Sequence, residues 1–213
     1  MNPEILADLR RFGALKENDH FILKSGKHSR AFVDWEKTEP YTHWVRSRCQ
    51  ELAEQFRKSG ATRVIGPAKG GIVISHCVAN ALSDSSDSVL GLSADKTPNG
   101  DFVIPASHGH LIAGERFLFV DDIFTEGTSF GLVQQKLEAA GGVFVGIGVM
   151  WKRGAKTSVT VKGSGSPLPL VSLITKEIQT WTPEQCVIDG PCSERVAYNM
   201  QLGQAKRLFP AKS

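Results

Sequence analysis

The sequence predicts an α/β fold: a single domain spanning 1–213, with a mainly parallel sheet flanked by helices. Three observations predict it. Short apolar runs of strand length alternate with runs of helical periodicity. The composition, 41% hydrophobic and 22% charged, is that of an ordinary folded chain rather than a disordered one. A chain this long buries roughly 70% of its unfolded surface, so it needs neither disulfide nor metal to fold. Strands separated by helices imply right-handed crossover units and a parallel sheet covered on both faces.

Along the chain, Ile5, Leu6, Leu9 and Phe12 recur at helical spacing. Phe21–Lys24 and Ala31–Asp34 read as two short strands around a Ser25-Gly26-Lys27 turn. Val45, Cys49, Leu52 and Phe56 mark an amphipathic helix, with Gly60 as its stop. Arg63–Gly66 is a strand, the turn Pro67–Gly71 follows, and a helix runs through Ile74, Val78 and Leu82. After a polar loop, Ser83–Ser88, comes a strand at Val89–Leu92. Phe117–Val120 is the clearest buried strand, ended by Asp121 and Asp122. Leu132, Val133, Leu137 and Ala140 form the next helix, closed by Gly141-Gly142, and Val143–Met150 is again a strand. Leu168–Ile174 reads as a last strand, Trp181–Cys192 as turn-rich, and Ser193–Phe209 as helical.

Ligands in such sheets sit at the carboxyl ends of the strands, which directs attention to the loops after Ile65, Leu92, Val120 and Met150. Lys plus Arg is 25 and Asp plus Glu is 22, a net charge of +3. So weak a basic balance does not support a nucleic-acid partner. No segment approaches the ~18 apolar residues of a membrane span, and the first residues carry no apolar signal core. Cys49, Cys77, Cys186 and Cys192 form no disulfide framework, which fits a reducing cytoplasm. Cys186 and Cys192 are also too far apart for a zinc ribbon, and no further ligands are evident near them in the sequence, so no protein-held metal is expected.

The sharpest feature runs from Phe117 to Ser129, FLFVDDIFTEGTS. An apolar strand ends in two acids, a short Thr/Gly/Thr/Ser loop follows, and a helix begins at once. Hydroxyls and free N–H groups at a helix N-terminus bind phosphate. Gly127 lets the backbone approach it closely. Two carboxylates at a strand end can accept hydrogen bonds from a sugar diol. The plainer alternative is a pair of solvated loop acids and a simple helix cap at Thr128 or Ser129.

At these residues the chain resembles the type I phosphoribosyltransferases. Phe21–Phe32, with Lys24-Ser25-Gly26-Lys27, and Gly66-Pro67-Ala68-Lys69-Gly70-Gly71-Ile72 are similar to segments of the orotate phosphoribosyltransferases. The resemblance implies the type I fold, with a small hood from about residues 1–40 and part of 167–213. It assigns Asp121 and Asp122 to the ribose hydroxyls of phosphoribosyl pyrophosphate (PRPP), and Thr125, Glu126, Gly127, Thr128 and Ser129 to the 5-phosphate. Lys69, Gly70 and Gly71 would hold pyrophosphate, Lys24 and Phe32 the base, and Lys96 would act in catalysis from a mobile loop. It further implies orotate as the second substrate, Mg²⁺ held mainly by substrate and water, and a homodimer. The chain departs from the family where Asp95 precedes Lys96 in place of a usual arginine. Two alternatives stay open: transfer to another base such as a purine, or a non-catalytic PRPP-binding regulator.

Overall fold

In the computed structural model, which describes residues 3–84, 88–160 and 166–208, contacts partition the chain into two units. One is formed by the N-terminal residues through Thr38 together with Glu177 onward, the other by Glu39–Lys176. The elements in chain order are α1 (Pro3–Arg11), β1 (Leu15–Lys16), β2 (Phe21–Ile22), β3 (His28–Ser29), β4 (Phe32–Val33), α2 (Thr42–Glu54), β5 (Arg63–Pro67), α3 (Gly70–Leu82), β6 (Leu90–Lys96), β7 (Phe102–Val103), β8 (Arg116–Phe124), α4 (Thr128–Ala139), β9 (Val143–Lys152), β10 (Ser158–Val159), β11 (Leu168–Thr175), β12 (Thr180–Trp181), α5 (Pro183–Asp189) and α6 (Ala205–Leu208). No helix among the described residues is long and apolar enough to cross a membrane.

The larger unit is built on a seven-stranded sheet in the order β10-β11-β9-β8-β5-β6-β7. The five central strands run parallel, and β10 and β7 add antiparallel edges. The centre is dry: Phe117, Leu118, Phe119 and Val120 of β8 are wholly buried, as are Ile147 and Val149 of β9. Burial on both faces explains why these strands read as unbroken apolar runs. From β5 the chain passes through α3 to β6 on one side. It then returns to place β8 on the other side of β5 and continues through α4 to β9. The strand order therefore reverses between β5 and β8, and the loops leaving their carboxyl ends part to either side. That divergence makes the crevice in which such sheets hold ligands.

Several expectations change. β8 does not stop at Val120; it runs to Phe124, so Asp121 and Asp122 are strand residues, pinned by pairing of Asp121 with Val149. β6 likewise extends to Lys96 and turns back into β7. Lys96 therefore sits at the foot of a short hairpin, where the Thr97 N–H donates to Asp101 O at 2.9 Å and Gly100 takes φ +88°. α2 ends at Glu54, before Gly60, because its last turns tighten while Phe56 still packs inward. Residues 85–87 of the polar loop lie outside the described residues.

The smaller unit carries two-residue strands. β2 pairs with β3 rather than with the segment at Ala31–Asp34, because the turn is tight: Gly26 N–H donates to Leu23 O at 2.9 Å with Gly26 at φ +78°. Phe32–Val33 instead pairs with Leu15–Lys16. β12 adds to β3, giving a three-stranded sheet. The turn-rich reading of Trp181–Cys192 gives way to α5. Thr182 caps it, accepting from the Gln185 N–H, while Gln185 Oε1 accepts from the Thr182 N–H at 3.0 Å, and Pro183 occupies the first turn. Of the helix expected over Ser193–Phe209, only the turn Ala205–Leu208 forms, and residue 209 lies outside the described residues.

Candidate active site

Two loops meet at the reversal of strand order. The first leaves β5 as Ala68-Lys69-Gly70-Gly71, with a cis Ala68–Lys69 peptide, and enters α3 at once. The backbones here touch. A Cβ on Gly66 would strike the Gly71 carbonyl, and one on Gly71 would lie 2.5 Å from Pro67 Cδ. A Cβ on Gly70 would run into the carboxylate of Asp122. That near-contact shows that the structure brings Lys69–Gly71 and the paired acids together, although they lie far apart in the chain.

The second loop leaves β8. Asp121 is buried and its carboxylate accepts the Asp122 N–H at 2.9 Å; the Asp122 carboxylate accepts the Ile123 N–H at 2.6 Å. Burial first, then the neighbouring Asp122 charge, pushes the Asp121 carboxyl well above the ordinary range for aspartate. Gly127 takes φ +85° and precedes α4, its carbonyl accepting from the Gly131 N–H at 2.9 Å. A side chain there would meet the Phe124 ring at 2.8 Å. The first N–H groups of α4 have no partners within the helix, and residues of its first turn border a hollow of about 60 Å³. Asp121, Thr125, Gly127, Thr128 and Ser129 line it. Acid, hydroxyl and helix N-terminus thus surround one small polar depression, suited to an anion at one end and a diol at the other.

The remaining expected residues are more dispersed. Lys69 and Lys96 are exposed, and the Lys96 ammonium lies 5.8 Å from the centre of the Phe102 ring. Lys24 is exposed on the β2–β3 turn, and Phe32 packs its ring on Phe21 at 5.5 Å. Both belong to the smaller unit.

The phosphoribosyl transferase domain family matches residues 43–164, more than half of the chain. The chain belongs to the phosphoribosyltransferase family. Among curated relatives of this phosphoribosyltransferase, the orotate phosphoribosyltransferase of Desulforamulus reducens is 32% identical over 187 residues, covering 87% of this chain and 91% of the relative. That of Thermus thermophilus is also 32% identical, over 91% of this chain and 97% of its own. The crystal structure of orotate phosphoribosyltransferase from Aeropyrum pernix superposes with a TM-score of 0.60 at 23% identity, covering 79% of this chain and 92% of that one. The Mycobacterium tuberculosis enzyme does so with 0.60 at 17% identity, over 81% and 94%. At such identities the superpositions establish the shared fold, a type I phosphoribosyltransferase fold.

Two groups escaped the sequence reading. Arg153 follows β9, its N–H donating to Phe124 O at 2.9 Å. Its buried guanidinium Nε has no partner among the described residues, and burial lowers its pKa. The loop after Met150 was singled out from the sheet rule, but a lone arginine carries no motif. In the smaller unit, His20 and His28 converge on Cys186 and Cys192. The sequence put the two cysteines alone because their neighbours lie more than 150 positions upstream: His28 Nδ1 reaches Cys192 Sγ across a separation of 164.

Proposed function

We infer that this phosphoribosyltransferase transfers the phosphoribosyl group from PRPP to orotate, giving orotidine monophosphate and pyrophosphate. A ring nitrogen of orotate forms the new bond to C1 of the ribose as the bond from C1 to pyrophosphate breaks. The observation that carries the reading is the meeting of Gly70 with the Asp122 carboxylate beside the α4 hollow. That meeting supports reading the Lys69–Gly71 turn, the paired acids and the start of α4 as parts of one PRPP site, in a chain whose curated relatives are orotate enzymes over most of their length.

Such a displacement builds positive charge on the ribose ring and negative charge on the leaving group. The protein's work is therefore positional and electrostatic. Asp121 and Asp122 bind the ribose hydroxyls, and an ionised carboxylate of the pair favours the cationic ring. Thr125–Ser129 and the α4 N-terminus hold the 5-phosphate. Lys69 and the Gly70-Gly71 backbone hold pyrophosphate, and Lys96 meets it as its charge grows. Lys24 is the cation for the orotate carboxylate, with Phe32 on the base side. Asp121 and Asp122 are hard oxygen donors of the kind Mg²⁺ prefers, and two carboxylates are too few to hold it alone, so most of its ligands would be substrate oxygens and water. When bound, it neutralises charge on the departing pyrophosphate. A homodimer and a cytoplasmic setting complete the reading, the latter supported by four free cysteines.

The test is pyrophosphate release from PRPP with a panel of bases. Orotate should be the substrate by a wide margin. Preference for a purine would reassign the base, and tight PRPP binding with no turnover on any base would make the protein a sensor.

A further inference from the structure

We propose that His20, His28, Cys186 and Cys192 form a structural zinc site in the smaller unit. One ligand atom from each of the four lies within 4.8 Å of every other. His20 Nε2 is 2.9 Å from His28 Nδ1 and 3.8 Å from both Cys186 Sγ and Cys192 Sγ; Cys192 Sγ is 3.4 Å from His28 Nδ1. Zinc bonds of about 2.0–2.1 Å to nitrogen and 2.3 Å to sulfur, arranged tetrahedrally, place ligand atoms about 3.3–3.8 Å apart. Four of the six separations are already close to that size, the two ring nitrogens needing to part by a few tenths of an ångström, and the other two, within 4.8 Å, need to close by no more than about 1.2 Å. His20, His28 and Cys186 are buried, so a metal held there would be shielded from water.

The surroundings fit the same use. His20 Nδ1 lies 2.8 Å from the Val196 carbonyl and donates to it. That bond fixes the tautomer and leaves the Nε2 lone pair aimed at the cluster, the usual outer-shell arrangement of a metal-bound histidine. The Cys192 N–H donates to Cys186 Sγ at 3.2 Å, which steadies a coordinated sulfur. Two imidazoles and two thiols select zinc over magnesium or calcium. Four protein ligands close the sphere, leaving no position for a reacting molecule, so the role is structural.

The placement supplies a reason for the site. His20 precedes β2, His28 opens β3, Cys186 lies on α5 and Cys192 just beyond it. The unit is assembled from the two ends of the chain, with strands of two residues each. Elements that short hold weakly by packing alone, and a metal tying hairpin to helix is a standard way to hold such a unit together.

The test uses the full-length chain, purified without chelator and with any affinity tag removed. Elemental analysis should find roughly one zinc per chain. Cobalt titrated into metal-stripped protein should give the visible bands of a tetrahedral ion and a thiolate charge-transfer band. Cys186→Ser with Cys192→Ser should abolish both signals, and Cys77→Ser should leave them intact. If the double variant does not fold, the cobalt spectrum of the wild-type chain still decides. Metal-free protein that gives no tetrahedral cobalt spectrum would overturn the proposal. So would a Cys186–Cys192 disulfide found by mass spectrometry after alkylation of freshly made, anaerobically handled protein.

Discussion

The crevice at the end of β8 and the His/Cys cluster of the smaller unit hold their functional groups in opposite ways. In the crevice, the groups offered to a ligand are largely backbone N–H donors at the start of α4 and in the Lys69–Gly71 turn. They stand ready because the sheet fixes them: the Gly66 and Gly71 backbones are in contact, and Asp121 is paired with Val149. In the cluster the donors are side chains, three of the four residues are buried, and they come from a two-residue strand, a seven-residue helix and the chain just beside them. A site made of backbone on a parallel sheet is preorganised before its ligand arrives. A site made of side chains on such short elements owes its order to what it binds. The first should tolerate almost no added atoms, and the second should tolerate almost no lost ligands.

Gly66→Ala should break the first statement most severely. The new methyl meets backbone, which cannot swing aside as a side chain can. PRPP binding should fall below detection by calorimetry, and the fold should lose on the order of 3 kcal/mol, the upper end for overpacking. Retained PRPP binding in this variant would show that the turn is not a preorganised cradle.

Asp121→Asn combined with Asp122→Asn should come next, lowering turnover on the order of a thousandfold while the fold survives. The stability effect has a definite sign. The raised Asp121 pKa means that the folded state holds a proton the unfolded chain has released. Stability is therefore lost as pH rises from the ordinary aspartate range through the raised value. Asp121→Asn alone should flatten that decline and raise the melting temperature at neutral pH, seen by thermal melts across pH. A melting temperature that falls instead would show that the acid pair supports the fold.

Lys24→Ala tests whether the smaller unit serves the base. A charge-assisted bond to a carboxylate is worth about 1.5–3 kcal/mol, so the orotate KM should rise roughly ten- to hundredfold with PRPP affinity nearly unchanged. Unaltered orotate kinetics would remove Lys24 from the base site.

How much of this was legible follows from sequence distance. Phe117–Ser129 states strand, acids, glycine and helix start in thirteen consecutive positions, and Gly66–Gly71 does the same for the other turn. Each is a local event whose chemistry and geometry share one stretch of chain. The extension of β8 past Val120 was not legible, because aspartates disfavour strand interiors and only pairing with β9 holds them there. The His/Cys cluster was illegible for the opposite reason: its parts are common residues, and only the fold joins them. The α5 cap was legible and overlooked, since Thr182-Pro183-Glu184-Gln185 carries both a capping box and a proline in the first turn.

That cap yields the smallest expected effect. Thr182→Ala should cost about 1 kcal/mol, measurable by denaturant titration. Because α5 presents Cys186, zinc should leave this variant faster than wild type when chelator is added. Equal release rates would mean that the cluster, once loaded, no longer depends on the helix that delivers its cysteine.

The β6–β7 hairpin sets a limit of reach. Closed, residues 97–101 fold back on themselves and extend on the order of 8 Å beyond the sheet, at about 3.3 Å per residue over half the loop. Lys96 at its foot is then held beside the Phe102 ring at the edge of its own sheet. If the two-residue ladder with β7 let go, the chain from 96 to 105 would be long enough to span roughly 30 Å. The main opposition to that release is Phe102, 4% exposed in the core of the larger unit and worth about 1.5–3 kcal/mol of burial, beside which the exposed Lys136–Asp101 ion pair at 2.8 Å is worth about 0–1 kcal/mol and weakens with salt. A lysine shared between subunits would thus require an uncoiled tether, and the burial of Phe102, more than any surface charge, is what keeps it coiled.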